Sequence, residues 1–423
     1  MRSSTFILSF VASAILASNA MAMEFQVLGS KAASMGGAGV ATSPSSLAAF
    51  NNPALLANNP EKFSLHLGVG IAAKDTGAGK SIGDLNNLDF SGLTAAADGN
   101  AENITLAQIN DLMLAKSIIV GMDQKGFAAT PNADFGLSFG SFGTGLFVTS
   151  DISGIANIDQ THTDLIFETS TPGVYLDVAT GAAKTLLEYQ TSSIQYAIDN
   201  GSTNVEVVGL ALAEIPLAYG RSIDTGYGQL AIGGALKLMQ GKTFYKMAKL
   251  DDENSFDNLN DNTETSTDFG VDLGLAYKPI FVENLTVAVV GKNLNVPAFD
   301  VKGGGEFKID PSVRAGAAYK FGNWVELAFD ADLTENKSLT GYKTRYVGGG
   351  ANLDLSFLEL NAGLMKNIAS SDESGLIYTA GIATGPDWLH FELSAQMASK
   401  KGEIDGSTYP KQAMVNFAIS SSW

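Results

Sequence analysis

The sequence predicts an all-β protein, a fourteen-stranded antiparallel transmembrane β-barrel with an N-terminal plug and helical insertions in its outer loops. Three observations carry that expectation. Apolar and polar residues alternate with period two in many segments, the connections between those segments alternate long and short, and the chain opens on an export signal. Alternation gives each strand one apolar and one polar face. The asymmetry of connections is that of a bacterial outer-membrane barrel, with tight turns in the periplasm and long loops outside.

The export signal spans residues 1–22. Arg2 supplies positive charge, Phe6 to Leu16 an apolar core, and Ala20-Met21-Ala22 a small-x-small site, so cleavage is expected between Ala22 and Met23. After it the chain divides into a hatch at residues 23–60 and a barrel at 61–423, with no composition break that would separate two globular domains. There is no Cys, which removes disulfides, thiol catalysis, thiolate metal sites and a lipid anchor on cysteine. No stretch of about 18 apolar residues follows the signal, so any membrane span must be built from strands. The 46 Gly against 11 Pro suit tight turns and close packing, and the net charge of −18 argues against nucleic acid.

The clearest strand is Trp324 to Leu333, where Val325, Leu327, Phe329, Ala331 and Leu333 share one face and Glu326, Asp330 and Asp332 the other. Trp388 to Met397 and Asp268 to Tyr277 alternate likewise. The same rule gives strands at 62–73, 133–140, 143–158, 205–222, 227–246, 267–278 and 284–294, and at 312–321, 323–334, 343–354, 357–367, 375–385, 388–398 and 412–423. Short connections include Asp224-Thr225-Gly226, Gly322-Asn323 and Pro386-Asp387; long ones include 74–132, 159–204, 247–266, 295–311 and 399–411. A soluble sandwich also alternates, and strand length, loop asymmetry and the export signal decide against it. Closure of the barrel is required because unpaired backbone groups in lipid cost several kcal/mol each.

Helical spacing occurs in two long loops: Ala101 to Val120, through Ile104, Ala107, Leu112 and Ala115, and Val178 to Ile198, through Leu187, Ile194 and Ile198. Such helices either cover the outer mouth or take part in function. The last strand puts Ala413, Val415, Phe417, Ile419, Ser421 and the terminal Trp423 on one face, and Phe417, Ile419 and Trp423 are similar to the terminal signal read by the barrel-assembly machinery. All three Trp fall at one rim, as an interfacial girdle requires. By strand parity, however, Trp324 and Trp388 share the inward face of Glu326 and His390.

Catalysis finds little support. Gly136-Leu137-Ser138-Phe139-Gly140 matches a serine-hydrolase elbow, yet a strand follows where a helix is needed. Asp251-Asp252-Glu253, with Asp257 and Asp261, misses calcium-loop spacing and reads as a solvated loop with weak cation-mediated contact to lipopolysaccharide as an alternative. Asp268, Asp272, Glu326, Asp330, Asp332, Glu359, His390 and Glu392 face inward and read as lining of an aqueous lumen. No cofactor, no metal and no enzymatic reaction is expected.

The stretch Ser34 to Ala57 is glycine-rich and does not alternate. Gly36, Gly37 and Gly39 permit close approach to a wall, Ser43 caps a short helix with Pro44 at its first position, and Asn51 and Pro53 end it. This coil, helical turn and Asn52-Pro53-Ala54 resemble the N-terminal hatch of the FadL-like outer-membrane transporters. Further blocks, Ile215-Pro216-Leu217-Ala218-Tyr219, Leu236 to Gly241, Val290 to Leu294, Arg314 to Tyr319, Asp330 to Thr334 and Tyr346 to Gly350, resemble the exported barrels of the TraF type, themselves FadL-like. The resemblance implies an outer-membrane channel, plugged by its N-terminus and embedded among lipids and lipopolysaccharide, that passes hydrophobic small molecules. Its alternative is a structural or accessory component of a surface apparatus such as conjugal plasmid transfer. A general porin fits less well, because those lack an N-terminal hatch.

Overall fold

The computed structural model describes residues 20–21, 23–89, 91–249, 262–370, 373–386, 388–404 and 406–423. Fourteen strands form one closed antiparallel barrel. In chain order they are β1 Phe63–Asp75, β2 Gly126–Phe139, β3 Phe142–Asn157, β4 Asn204–Thr225, β5 Gly228–Lys249, β6 Thr263–Pro279 and β7 Leu285–Lys292. They continue as β8 Ser312–Phe321, β9 Val325–Asp332, β10 Tyr346–Asp354, β11 Leu358–Asn367, β12 Leu376–Thr384, β13 His390–Ala398 and β14 Gln412–Ser422. Each pairs with its chain neighbours, and β1 closes the ring on β14, Ser64 opposite Ser422 through Lys74 opposite Gln412. Every expected strand is present. Among the described residues no helix is long and apolar enough to cross a membrane.

The largest difference in a strand boundary has a stated cause. β2 begins at Gly126, seven residues before the alternation does, because Pro131 interrupts the pattern there. Pro131 has no N–H to donate, and the β2–β3 ladder skips from Ala129–Ile152 to Asn132–Thr149 while keeping its register. Pro216 makes a similar gap between β3 and β4, from Thr144–Leu217 to Phe147–Glu214.

The barrel is apolar outside and polar within. Leu67, Val69, Ile71, Leu217, Leu236, Phe269, Leu273, Phe329 and Phe417 are exposed, whereas His66, Asp134, Glu214, Lys237, Asp272, Arg314 and Glu326 are buried. This inverts the usual order of a soluble protein and is what a hydrocarbon surround requires. Both ends of the mature barrel chain and the short turns share one rim: Lys62 N–H donates to Trp423 O at 2.8 Å and Trp423 N–H to Phe63 O at 2.9 Å. Trp324, Trp388 and Trp423 are all exposed there. Trp324 and Trp388 sit in the turns before β9 and β13, not in the strands, so strand parity does not turn them inward.

Residues 23–59 fold inside the barrel. Helix α1 (Ser30–Ser34) leads to a turn at Met35–Gly37, and α2 (Ser45–Asn51) is followed by a 3-10 turn at Pro53–Asn58. α2 starts one residue later than its sequence suggests: Pro44 takes the cap position, and the Ser43 hydroxyl donates to Gly39 O at 2.7 Å instead of capping. α1 escapes sequence reasoning because its five residues are too few to show a period.

At the opposite rim, the connection 76–125 carries α3 (Gly79–Asn86), α4 (Ser91–Ala95) and α5 (Leu106–Val120), the last with a capping box of Thr105 and Gln108. The expected helix over Val178–Ile198 is instead two short ones, α6 (Leu186–Ser192) and α7 (Ile194–Asp199), broken where Ser193 caps the second. Leu187 is therefore exposed while Ile194 is buried. The acidic run Asp251 to Asp261 and Asp387 of the Pro386-Asp387 turn lie outside the described residues, as do residues 1–19 and Ala22.

Candidate functional site: the occupied lumen

Between Glu24 and Glu61 the chain has one charge, Lys31, and it meets the wall: Nζ lies 2.7 Å from Glu326 Oε2 of β9. Burial opposes the charge on Lys31, but Glu326 with Glu359 and Glu392 outweighs that and raises its pKa. Thr42 Oγ1 also donates to Glu326. Four residues along the same strand face, Asp330 Oδ2 accepts from Gly39 N–H at 2.8 Å and Val40 N–H at 3.0 Å. Asp332 accepts from Arg314 Nε at 2.6 Å, and the Arg314 guanidinium stands 4.3 Å from the Phe25 ring. Glu326, Asp330 and Asp332, expected as lumen lining, bind the N-terminal segment or the groups that hold it, and Glu326 and Asp330 also line the cavities beside it.

Other wall groups join them. Thr379 Oγ1 accepts from Gly36 N–H at 3.0 Å and donates to Ser34 O at 2.7 Å, and Gln396 Nε2 donates to Ala33 O at 2.8 Å. Thr379, Gln396, Arg314 and Lys31 escape sequence reasoning, which picks out inward carboxylates and His390; the isolated charge of Lys31 is the available signal. Of the remaining expected residues, Asp272 pairs with Lys237 at 3.1 Å, which also meets Glu214 at 2.8 Å. Glu359 accepts from Asn352 at 3.1 Å and Glu392 from Ser420 at 2.5 Å, while His390 lies beside them. Asp268 is half-buried at the long-loop rim, where it accepts from Ala298 N–H at 2.8 Å, away from the lumen group.

Glycine meets glycine where the segment touches the wall. Gly36 has φ +68°, and a Cβ there would stand 2.7 Å from Gly349 N and O; one on Gly350 would stand 2.6 Å from Met35 Cα. Gly37 also has positive φ, at +77°, whereas Gly39 does not and is confined by Val27 at 3.0 Å and Ala32 at 3.1 Å. Asn51 and Asn52 tie the segment to itself. Asn51 Nδ2 donates to Leu28 O at 3.0 Å and Asn52 Nδ2 to Val40 O at 2.8 Å, while Asn52 Oδ1 accepts from Ala54 N–H at 3.1 Å and caps the turn begun by Pro53. Leu47, Ala48, Phe50, Ala54 and Leu56 are fully buried, and Lys292 Nζ lies 3.3 Å from the centroid of the Phe50 ring.

The segment separates cavities. Toward the long loops lies one of about 1120 Å³, counting solvent at its mouth, with Glu24, Phe25, Lys74, Arg314, Tyr346 and Met365 in its lining. Toward the short turns lie two more, of about 1160 and 1050 Å³, which share Thr42, Ser43, Ser45, Pro60, Lys320 and Glu326. Among the described residues no group of three or more His, Asp and Glu is placed to hold a metal ion. Ser138, the centre of the elbow-like run, lies within β2 and pairs with Ser64 at 2.6 Å.

The fold is shared with solved structures. The toluene transporter TodX of P. putida is 12% identical with TM-score 0.50, the alignment covering 95% of this chain and 99% of TodX. A deltaS2 mutant of the TodX monoaromatic hydrocarbon channel gives TM-score 0.52 at 12% identity over 95% and 100% of the two chains, and the CymD monoaromatic hydrocarbon channel 0.51 at 13% over 95% and 99%. These likenesses are of fold, and these neighbours carry the names of channels and transporters. No curated protein matches the sequence. The family described as "F plasmid transfer operon, TraF, protein" matches residues 49–332, more than half of the chain, from α2 to the end of β9. The protein is a bacterial outer-membrane β-barrel, and it belongs to this TraF family.

Proposed function

We propose that the protein is a channel for uptake of hydrophobic small molecules, with residues 23–60 as the hatch that closes it. The observation that carries this reading is the position of that segment, held in the lumen between a cavity toward the long loops and two toward the short turns. An even strand count after export puts both termini and the short turns in the periplasm, so the first cavity opens outward and α3 to α7 lie in extracellular loops. The hatch is held by separate polar contacts, each worth about 0.5–3 kcal/mol, a design that allows release. The barrel shared with TodX and CymD supports hydrocarbon-like cargo. Outer-membrane lipids and lipopolysaccharide cover the apolar exterior, and the barrel-assembly machinery reads Phe417, Ile419 and Trp423.

The family description favours a second reading, an accessory part of conjugal transfer. Uptake by a deletion strain of a panel of hydrophobic compounds, run beside a mating assay, separates the two. Loss of uptake supports the channel; loss of mating alone supports the apparatus.

A further inference from the structure

The cavities on the two sides of the hatch converge on one strip of wall, formed by β13, β14, β1 and β2. Inward-facing residues stack there in level rows. His390, Ser420, His66 and Gly136 form one, Glu392, Ala418, Gly68 and Asp134 the next, and Ser394, Asn416, Gly70 and Asn132 the third. His390, Glu392 and Ser420 line the periplasmic cavity, and Asn132 lines the outer one. Rows on one face of a strand are roughly 6.6 Å apart. Between the residues that line the two cavities, this strip holds His66 in the first row, Asp134 in the second, and Ser394 and Asn416 in the third.

All four are buried, at 1%, 4%, 1% and 6% exposure, and each keeps polar atoms that no protein group hydrogen-bonds: both ring nitrogens of His66, Oδ1 of Asp134, Oγ of Ser394 and Oδ1 of Asn416. Ser30 Oγ on α1 and His390 Nε2 extend the series toward the periplasm. His66 Nε2 lies 3.2 Å from Asp134 Oδ1, within charge–charge reach but off the hydrogen-bond direction. The contrast with Asp330 Oδ2, which accepts two N–H groups of the hatch, is plain. β1 makes the room. A Cβ on Gly68 would stand 2.6 Å from Asp134 Oδ2 and 3.0 Å from His66 Nε2, and the inner face of Gly70 is covered by Asn416 and Asn132. Buried polar groups in such a run are those that ordered water bridges, at about three hydrogen bonds per water.

We propose that this strip is a relay for water and protons that passes the closed hatch, with His66 and Asp134 at its narrowest point. It is distinct from the uptake route, since it works with the hatch in place. A proton that binds one ring nitrogen of neutral His66 makes the imidazolium; loss of the proton on the other nitrogen restores the neutral ring as its other tautomer, and a ring flip resets it. Only a proton has moved.

The test uses full-length protein in phosphatidylethanolamine–phosphatidylglycerol liposomes loaded with a pH-sensitive dye, given an external acid step with the membrane potential clamped. Potassium efflux is followed in parallel. Wild type should dissipate the step faster than protein-free vesicles, and His66→Leu and the more conservative His66→Gln should each slow it by roughly tenfold with potassium efflux unchanged. Heat-dependent gel mobility confirms that each barrel is assembled, and Asp134→Asn replaces either variant that is not. The proposal is overturned if wild-type vesicles hold the step as long as empty ones, if the assembled variants conduct protons like wild type, or if potassium crosses wild type as readily as protons.

Discussion

Lys31 Nζ and Glu326 Oε2, 295 positions apart in sequence, are 2.7 Å apart in the lumen. The pair joins the N-terminal segment to β9, and Glu326 lines both cavities toward the short turns. Replacing Lys31 with Met should weaken closure by about 1–3 kcal/mol, the worth of a hydrogen bond to a charged group. Glu326→Gln should cost more, because Thr42 loses a charged acceptor too. Bilayer recordings should show brief openings in both variants that are rare in wild type; identical closed-state noise in all three would contradict the clamp.

The sign of the Lys31 shift sets a pH expectation. Its pKa is raised in the folded state, so its stabilising share is complete below the ordinary lysine range and is lost only as pH rises through the raised value. Closed-state conductance should therefore stay flat from neutral pH to about pH 9. Opening within that window would mean that another group governs the hatch.

Gly36 offers a steric test. Gly36→Val combines a φ of +68° with a side chain directed at the backbone of Gly349, costing about 1–2 kcal/mol in the left-handed backbone alone. The barrel should assemble, since the lesion is not in a strand, but the hatch should seat poorly and sensitivity to large antibiotics should rise. Gly39→Ala should be milder, because its φ is ordinary and only Val27 and Ala32 must give way. Equal sensitivity of the Gly36 variant and wild type would remove the close approach as a requirement.

Trp423 completes the closing seam, its N–H and carbonyl bonded to Phe63 and Lys62 and its ring 5.4 Å from that of Phe63. Deleting it should lower the amount of heat-modifiable barrel in the outer membrane. Phe417→Asp, which puts a charge on a lipid-facing side chain, should do the same, at a cost below the about 2–4 kcal/mol typical of a cation at the midplane. Normal assembly of both would show that the terminal strand carries no such signal.

Orientation is checked with single cysteines in a chain that has none. Thr408→Cys in the connection 399–411 and Asn323→Cys in the turn before β9 are both exposed positions. An impermeant thiol reagent applied to whole cells should label the first and not the second. The reverse pattern would turn the barrel over.

The strands were legible because lipid outside and polar groups inside impose a strict period of two, and Leu327, Phe329, Glu326 and Asp330 obey it. The pattern failed where another force governed: at Pro131, where a missing donor is tolerated mid-strand, and at Trp324, which belongs to a turn and so owes nothing to parity. Glu326 and Asp330 could be placed in the lumen from sequence, but not assigned to Lys31 and Gly39. Those partners are 295 and 291 positions away, and no local period encodes a contact between a wall and a segment that does not alternate.

The most direct test removes the segment from Glu24 to Ala57 and measures single-channel conductance of the purified barrel. A barrel of fourteen strands is wide enough to leave an aqueous path when nothing fills it, and the interstrand ladders do not depend on the hatch. The truncated protein should therefore assemble, as judged by heat-dependent gel mobility, and conduct several-fold more current than the full-length protein. An assembled truncated barrel with full-length conductance would contradict the claim that residues 23–60 close the channel.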